Sequence, residues 1–203
     1  DYESFCAHPK PVIGYSDATA ILLALYAKTG ITTFYGPALV ASFGEFSPFV
    51  DQTFEYFADV LLGEKTAPYA LERPQEWTDE FIDWATQDRG KKGLINTVQF
   101  IGSGQVQGRL MGGNLNSMSA IWGSQYMPDI KPGDILLIED SLKDIATVER
   151  LLAMLKLNGV FDRISALLVG KHEGLKDLGT GRTTIDVLNE ALGLGPLEEL
   201  LAE

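Results

Sequence analysis

The sequence contains little cysteine, few basic residues and no long apolar run, and each shortage excludes a class of protein. Cys6 is the single cysteine among 203 residues, which excludes an internal disulfide and indicates a reducing compartment. No segment reaches the ~18 uncharged apolar residues of a membrane helix, and no signal peptide opens the chain. We therefore expect a cytoplasmic protein without a membrane partner.

Basic residues and histidines are also scarce. Lys and Arg number 16 against 28 Asp and Glu, giving a net charge of −12. No basic cluster could replace the counterions of a nucleic acid, so a nucleic-acid partner is excluded. His8 and His172 are the two histidines, and with one cysteine they form no ligand cluster for zinc. We predict neither a metal nor a cofactor.

The residues that are present alternate between short apolar runs and amphipathic segments. Strands are predicted at 31–35, 134–138 and 164–169. Helices are predicted at 17–28, 49–62, 115–122 and 183–192, with a further helix capped by Ser141 that reaches Asn158. This alternation predicts an α/β fold with a mostly parallel, helix-covered sheet.

The middle of the chain is less regular. We interpret residues 64–97 as a linker and lid-like insertion around a short helix at 78–86, and residues 98–101 and 105–111 as a small β pair. Residues 1–63 then end an N-terminal α/β part, and 98–203 form an incomplete C-terminal α/β domain. The insertion aromatics Trp77, Phe81 and Trp84 fit the buried face of a helix, although an exposed Trp could stack on a planar ligand.

Ser16 is the first candidate for chemistry. It stands between a short apolar run and a long helical pattern, beside Gly14 and before Ala18. On such a bend a serine projects over the first helix amides, which can stabilise an oxyanion during acyl transfer. The usual pattern has Gly where this chain has Ala18. The alternative is that Ser16 only caps the helix.

Two other polar segments follow predicted strands, namely Glu139-Asp140 and Lys171-His172-Glu173. In parallel sheets ligands bind at the carboxyl ends of the strands, so a serine, a carboxylate and a histidine could meet at one edge. Both candidate partners of Ser16 could instead have purely structural roles. Glu139 could simply face the next helix's amino terminus, and His172 could be structural.

Asn116 and Lys143 are candidate ligand-binding residues. Asn114 can cap the helix that follows Gly112-Gly113. Asn116 is then not needed as a cap and has no evident structural role. Lys143 is predicted in the first turn of a helix, where a cation is disfavoured unless it meets an anionic group. A solvated lysine is the alternative.

Five motifs in order resemble the LD-carboxypeptidase family of serine peptidases, most closely its microcin C immunity branch. They are Ile13-Gly-Tyr-Ser-Asp-Ala-Thr19, Thr33-Phe-Tyr-Gly-Pro37, Gly112-Gly-Asn-Leu-Asn116, Leu136-Leu-Ile-Glu-Asp-Ser-Leu-Lys143 and Gly170-Lys-His-Glu173. The resemblance covers nearly the whole chain.

The resemblance implies roles for individual residues. Ser16 would be the nucleophile, the Asp17 amide would belong to the oxyanion hole, and Glu139 would orient the catalytic histidine. The substrate would be held by Asn116, Lys143 and Glu173, with Trp84 stacked on a nucleobase. That branch cleaves the amide joining an aminoacyl or peptidyl group to a nucleotide-like toxin. The family resemblance also suggests a homodimer.

The chain departs from the family at both ends. The family's upstream Gly-Gly loop and its downstream catalytic histidine have no counterpart here, and His172 does not match the histidine motif. We expect a piece of a longer polypeptide that is inactive alone, because serine without its base is a weak nucleophile. The alternatives are a murein tetrapeptide carboxypeptidase, a non-catalytic α/β ligand-binding domain, or an assembly module using the aromatics of 43–57.

Overall fold

The computed structural model describes residues 1–63 and 65–195. Glu64, at the predicted start of the insertion, and residues 196–203, at the end of the predicted C-terminal domain, lie outside the described residues. The elements in chain order are α1 (Tyr2–Ala7), β1 (Ile13–Gly14), α2 (Ala18–Thr29), β2 (Phe34–Tyr35), α3 (Phe49–Leu61), β3 (Glu76–Trp77), β4 (Leu94–Ile95), β5 (Leu110–Asn114), α4 (Leu115–Ile121), β6 (Ile135–Ser141), α5 (Ile145–Leu157), β7 (Ala166–Glu173) and α6 (Thr184–Leu192). A π-helical turn at Leu39–Phe43 precedes α3.

Parallel strands form the frame of the molecule. β5, β6 and β7 make one parallel sheet in that order, and β1 and β2 make a separate parallel pair. A small antiparallel pair joins β3 to β4 inside the predicted insertion. The predicted fold class, an α/β fold with parallel sheets covered by helices and a small β pair, is confirmed, although the pair is formed by β3 and β4.

The core lies between the three-stranded sheet and the helices that cover it. On β6, Leu136, Ile138 and Asp140 are fully buried, since alternate side chains of a strand share one face. On α5 the buried residues recur at helical spacing. The fully buried apolar side chains of this core are Leu115, Met118, Leu136, Ile138, Val148, Leu152, Leu155, Val160 and Val187.

Strands β6 and β7 run further than predicted. β6 continues through Glu139 to Ser141, and β7 continues through Lys171 to Glu173, because ladder pairing carries these polar residues along the sheet. The prediction that Ser141 caps the next helix is therefore wrong. The N-cap of α5 is Asp144, whose carboxylate accepts from the Thr147 amide at 2.7 Å.

The predicted helix at 78–86 is wrong, since that segment is irregular and has only a turn at 84–86. Its acidic side chains accept hydrogen bonds from backbone amides and from an arginine side chain instead. Glu80 accepts from Arg89 and from the Lys92 amide, and Asp83 accepts from the Ala85 amide at 2.8 Å. Such side-chain bonds compete with helix formation.

The aromatics of this segment are correspondingly exposed. Phe81 is 81% exposed and Trp84 is 56% exposed, so the expectation of a buried helix face is wrong for both. Trp77, on β3, is partly buried, and the Lys171 ammonium lies 4.9 Å from its ring centroid.

The predicted β pair at 98–101 and 105–111 is also wrong. Residues 98–101 form no strand, and the end of the second segment enters β5 and pairs in parallel with β6. Leu110 lies opposite Ile135, and Met111 lies opposite Leu136. Of the segment 105–111, only Leu110 and Met111 therefore lie in a strand, and that strand belongs to the main sheet.

Candidate active site

Ser16 lies on the tight bend between β1 and α2. Its φ of 55° is in the left-handed region, which non-glycine residues rarely adopt. Close packing of the bend leaves no room at Gly14, where a Cβ would lie 2.6 Å from the Ala18 Cβ. The N-cap of α2 is Asp17 without a side-chain cap bond, so the capping interpretation of Ser16 is wrong.

Tyr35, on β2, joins this bend to Glu139. The Ser16 amide donates to the Tyr35 hydroxyl at 2.9 Å, and that hydroxyl donates to Glu139 Oε1 at 2.5 Å. Burial raises the pKa of Tyr35 well above its ordinary value, and the hydrogen bond to Glu139 raises it further. The phenol therefore stays protonated and acts as a donor to the carboxylate.

Asn114, the last residue of β5, is the second partner of Glu139. Its side-chain amide donates to Glu139 Oε1 at 3.0 Å and lies 3.2 Å from Asp140 Oδ1. Its side-chain oxygen accepts from the Ser117 amide and so caps α4, as predicted. One buried asparagine thus connects a helix start to two neighbouring carboxylates.

Asp140 organises the predicted binding residues. Its Oδ2 accepts from the Asn116 backbone amide at 3.0 Å, and its Oδ1 lies 3.5 Å from the Lys143 ammonium. Lys143 also donates to the Ser141 carbonyl at 3.2 Å. Since it precedes the Asp144 N-cap, Lys143 does not lie in the first turn of a helix as predicted.

Asp17 adjoins the same cluster. Ser117 Oγ lies 2.9 Å from Asp17 Oδ1 and 3.0 Å from Asn114 Oδ1. The Ala18 amide already donates to the Tyr15 carbonyl, whereas the Asp17 amide has no acceptor among the described residues. A free amide at a helix start can stabilise an oxyanion.

His172 lies apart from this cluster in its hydrogen bonding. Its Nδ1 is 3.3 Å from the Gly170 carbonyl, and its Nε2 is buried without a partner among the described side chains. It lines a cavity of about 900 Å³ with residues of α6, including Thr184 and Asn189. Burial lowers the pKa of His172, which favours the neutral ring.

Within the described residues, two predicted site residues make no side-chain hydrogen bond to the cluster. Glu173 ends β7, and its carbonyl accepts from the Leu142 amide at 2.7 Å while its side chain is exposed. Trp84 is exposed in the insertion. The structure therefore connects Asp17 and Glu139 through their side chains, Ser16 and Asn116 through their backbone amides, and Lys143 through its ion pair with Asp140. It leaves Trp84 and Glu173 outside this cluster.

Sequence reasoning missed three members of the cluster as site residues, namely Tyr35, Asn114 as a Glu139 partner, and Asp140. Asn114 and Asp140 each adjoin a residue that was singled out, whereas Tyr35 carries no local signal of its distant partners. Within the part of the chain that the structure describes, no group of three His, Cys, Asp or Glu side chains could hold a metal, and no helix is long and apolar enough to cross a membrane.

Comparison with known families gives two matches, one at the beginning of the chain and one in its second half. Residues 1–36 match the LD-carboxypeptidase N-terminal domain, and residues 107–197 match the LD-carboxypeptidase C-terminal domain. The first match contains Ser16, and the second contains Asn116, Glu139 and Lys143. The segment predicted as an insertion, residues 64–97, lies between the two matched segments.

Individual relatives agree with this. A Vibrio cholerae protein named provisionally as a carboxypeptidase is 58% identical over 192 residues, which are 95% of this chain and 57% of that protein. The Escherichia coli microcin C7 self-immunity protein MccF is 52% identical, over 95% of this chain and 56% of its own length. A solved structure of MccF in complex with aspartyl sulfamoyl adenosine superposes with a TM-score of 0.90, at 52% identity over 95% of this chain and 58% of that one. The chain thus spans a little over half of the relatives' length.

Proposed function

Because the chain belongs to the LD-carboxypeptidase family, we propose that it carries the nucleophile and the orienting carboxylate of a serine peptidase that cleaves an aminoacyl- or peptidyl-nucleotide amide. The observation that best supports this proposal is a pair of hydrogen bonds at Tyr35. Its hydroxyl lies 2.9 Å from the Ser16 amide nitrogen and 2.5 Å from Glu139 Oε1. The link runs through the Ser16 backbone amide and brings a serine on a strained bend near a carboxylate 123 positions away in sequence. A serine and a carboxylate at one site are two of the three members that a serine–histidine–acid arrangement requires.

The proposed reaction has two steps. Ser16 Oγ bonds to the substrate carbonyl carbon while a histidine outside residues 1–203 takes its proton, and the Asp17 amide stabilises the oxyanion. The carbon–nitrogen bond then breaks, and the histidine returns the proton to the leaving nitrogen. Water next releases the acyl group and restores Ser16. Glu139 holds the imidazole, and Asn116, Lys143 and Glu173 bind polar groups of the substrate.

The test uses the full-length protein that contains this chain, with aspartyl sulfamoyl adenosine as substrate. Ser16→Ala should lower turnover by roughly 10³-fold or more while substrate binding persists, because the nucleophile is lost but the cleft is intact. Product release is followed by chromatography, and binding by calorimetry. Full turnover by Ser16→Ala would contradict the assignment of Ser16 as the nucleophile. Turnover by residues 1–203 alone would contradict the proposal that the base is a histidine outside these residues.

The nucleotide preference is proposed to come from the insertion, where Trp84 is exposed and free to stack on a nucleobase. Trp84→Ala should weaken cleavage of the aminoacyl nucleotide by about tenfold and leave murein tetrapeptide cleavage nearly unchanged. Phe81→Ala, another exposed aromatic of the same segment, is the matched control. Equal losses on both substrates, or equal losses in both variants, would contradict a base-stacking role.

We also propose a cytoplasmic homodimer for the full-length protein. The support is the single cysteine and the family resemblance, together with apolar side chains exposed around α3, such as Phe46 and Phe54. Sedimentation equilibrium should give twice the monomer mass. A monomer at micromolar concentration would contradict the dimer.

A further inference from the structure

Tyr35 is fixed beside the strand that delivers Ser16. β1 and β2 pair in parallel with Tyr35 opposite Gly14, and the Gly36 amide donates to the Gly14 carbonyl at 3.0 Å. The ring of Tyr35 lies against β5, since a Cβ on Gly113 would come within 3.2 Å of the Tyr35 Cδ2 atom. The hydroxyl therefore has little freedom to move.

The direction of both hydrogen bonds at this hydroxyl is determined by chemistry. The Ser16 amide can only donate and the Glu139 carboxylate can only accept, so the single proton of Tyr35 lies toward Glu139. The phenol oxygen at the same time accepts the amide proton of the strained residue. One hydroxyl thus fixes a backbone atom of the nucleophile and an oxygen of the carboxylate.

The effect on Glu139 is to separate the roles of its two oxygens. Oε1 accepts from both Tyr35 and Asn114, whereas Oε2 has no partner among the described residues and is not buried. With Oε1 held by two donors, rotation of the carboxylate is restricted. Oε2 is then the oxygen presented to an incoming N–H group.

We propose that Tyr35 is a positioning residue, which holds the Ser16 bend and the Glu139 carboxylate in register so that Oε2 receives the catalytic imidazole. The inference rests on the function proposed above. Tyr35 touches neither substrate nor reacting atoms and acts through its two partners. It couples the nucleophile's position to that of the base.

The test is Tyr35→Phe in the full-length protein, which keeps the ring and removes the hydroxyl. The turnover number on aspartyl sulfamoyl adenosine should fall by about tenfold or more with KM changed less than about twofold, because positioning affects the transition state more than substrate binding. Tyr26→Phe is the matched control, since that hydroxyl bonds Arg109 at 3.0 Å. Tyr26→Phe should lower the free energy of unfolding by a similar amount to Tyr35→Phe and should keep its turnover number.

A double-mutant cycle separates positioning from general damage. In the Glu139→Gln background, Tyr35→Phe should cause a clearly smaller fold-loss of turnover than it does in the natural protein, because one of its two partners is already altered. Equal losses in both backgrounds, or unchanged turnover in Tyr35→Phe, would overturn the inference. Ser16→Ala measured beside them keeps the two proposals distinct, since its retained turnover would instead overturn the proposed function.

Discussion

Asp140 shows how much of the cleft depends on one buried side chain. It is fully buried, yet it accepts from the Asn116 backbone, the Asn114 amide and its own neighbour Ser141, and it faces the Lys143 ammonium. A buried carboxylate is tolerated when its oxygens are satisfied in this way. Removing the charge would loosen Asn116 and Lys143, two of the residues that we propose to bind substrate.

Asp140→Asn should therefore affect binding as well as stability. The amide keeps the shape but cannot serve every donor, so the free energy of unfolding should fall by about 1–3 kcal/mol and KM should rise by about tenfold. Asp59→Asn removes another largely buried aspartate, paired with Lys65 at 2.6 Å, and should cost stability without changing KM. An unchanged KM in Asp140→Asn would show that the cluster does not organise the binding residues.

At the scale of elements, the approach of β5 to β6 requires glycine. Gly112 has a φ of 134°, and a Cβ there would lie 1.8 Å from the Leu137 carbonyl oxygen on β6. That distance is far below any van der Waals contact, so the two strands would have to separate. Asn114, Glu139 and Asp140 lie at the ends of these same strands.

Gly112→Ala should consequently lower the free energy of unfolding by about 3 kcal/mol or more, measured by denaturant titration. Gly133→Ala is the control for backbone strain alone, because Gly133 also has a positive φ, of 89°, but meets no atom within 4 Å. It should cost about 1–2 kcal/mol. Equal losses in the two variants would mean that crowding against Leu137 is unimportant.

The elements also show which patterns could be predicted. The helix over 145–157 has a regular apolar stripe, and α6 has a capping box formed by Thr183 and Asp186, so both were predictable from local spacing. The segment at 78–86 has a similar stripe but forms no helix, because Arg89 and the Lys92 amide bind Glu80 from outside the segment. Contacts of that kind depend on tertiary structure.

At the scale of the whole molecule, the features of the cleft that could be predicted are those that depend on residues adjacent in sequence. The Ser16 bend follows from Gly14 and the helix pattern after it, and Glu139 follows a recognisable apolar run. Tyr35 bonds residues 19 and 104 positions away, so its role appears only when β2 lies beside both. The fold class, by contrast, follows from alternating strand and helix patterns along the whole chain.

His172 gives the molecule a predicted sensitivity to mild acid. Burial lowers its pKa in the folded state, although Asp140 and Glu139 nearby and the Gly170 carbonyl oppose this. Its contribution to stability is therefore complete above the unfolded pKa of about 6.5 and is lost as the pH falls through the lower folded pKa.

His172→Gln should make the free energy of unfolding less dependent on pH between about 7.5 and about 5.5. Denaturant titrations at several pH values measure this slope. His8→Gln, which alters an exposed histidine in a loop, is measured beside it as the matched substitution. A slope that is unaffected by His172→Gln would contradict the buried neutral ring.

Covalent labelling most directly tests whether Ser16 and Glu139 work as a unit. The full-length protein is treated with a fluorophosphonate, and the modified peptide is identified by mass spectrometry. We predict a single adduct on Ser16, absent in Ser16→Ala and formed at least about tenfold more slowly in Glu139→Gln, since only an activated serine reacts readily. An adduct on another residue, no adduct at all, or an undiminished rate in Glu139→Gln would contradict this assignment.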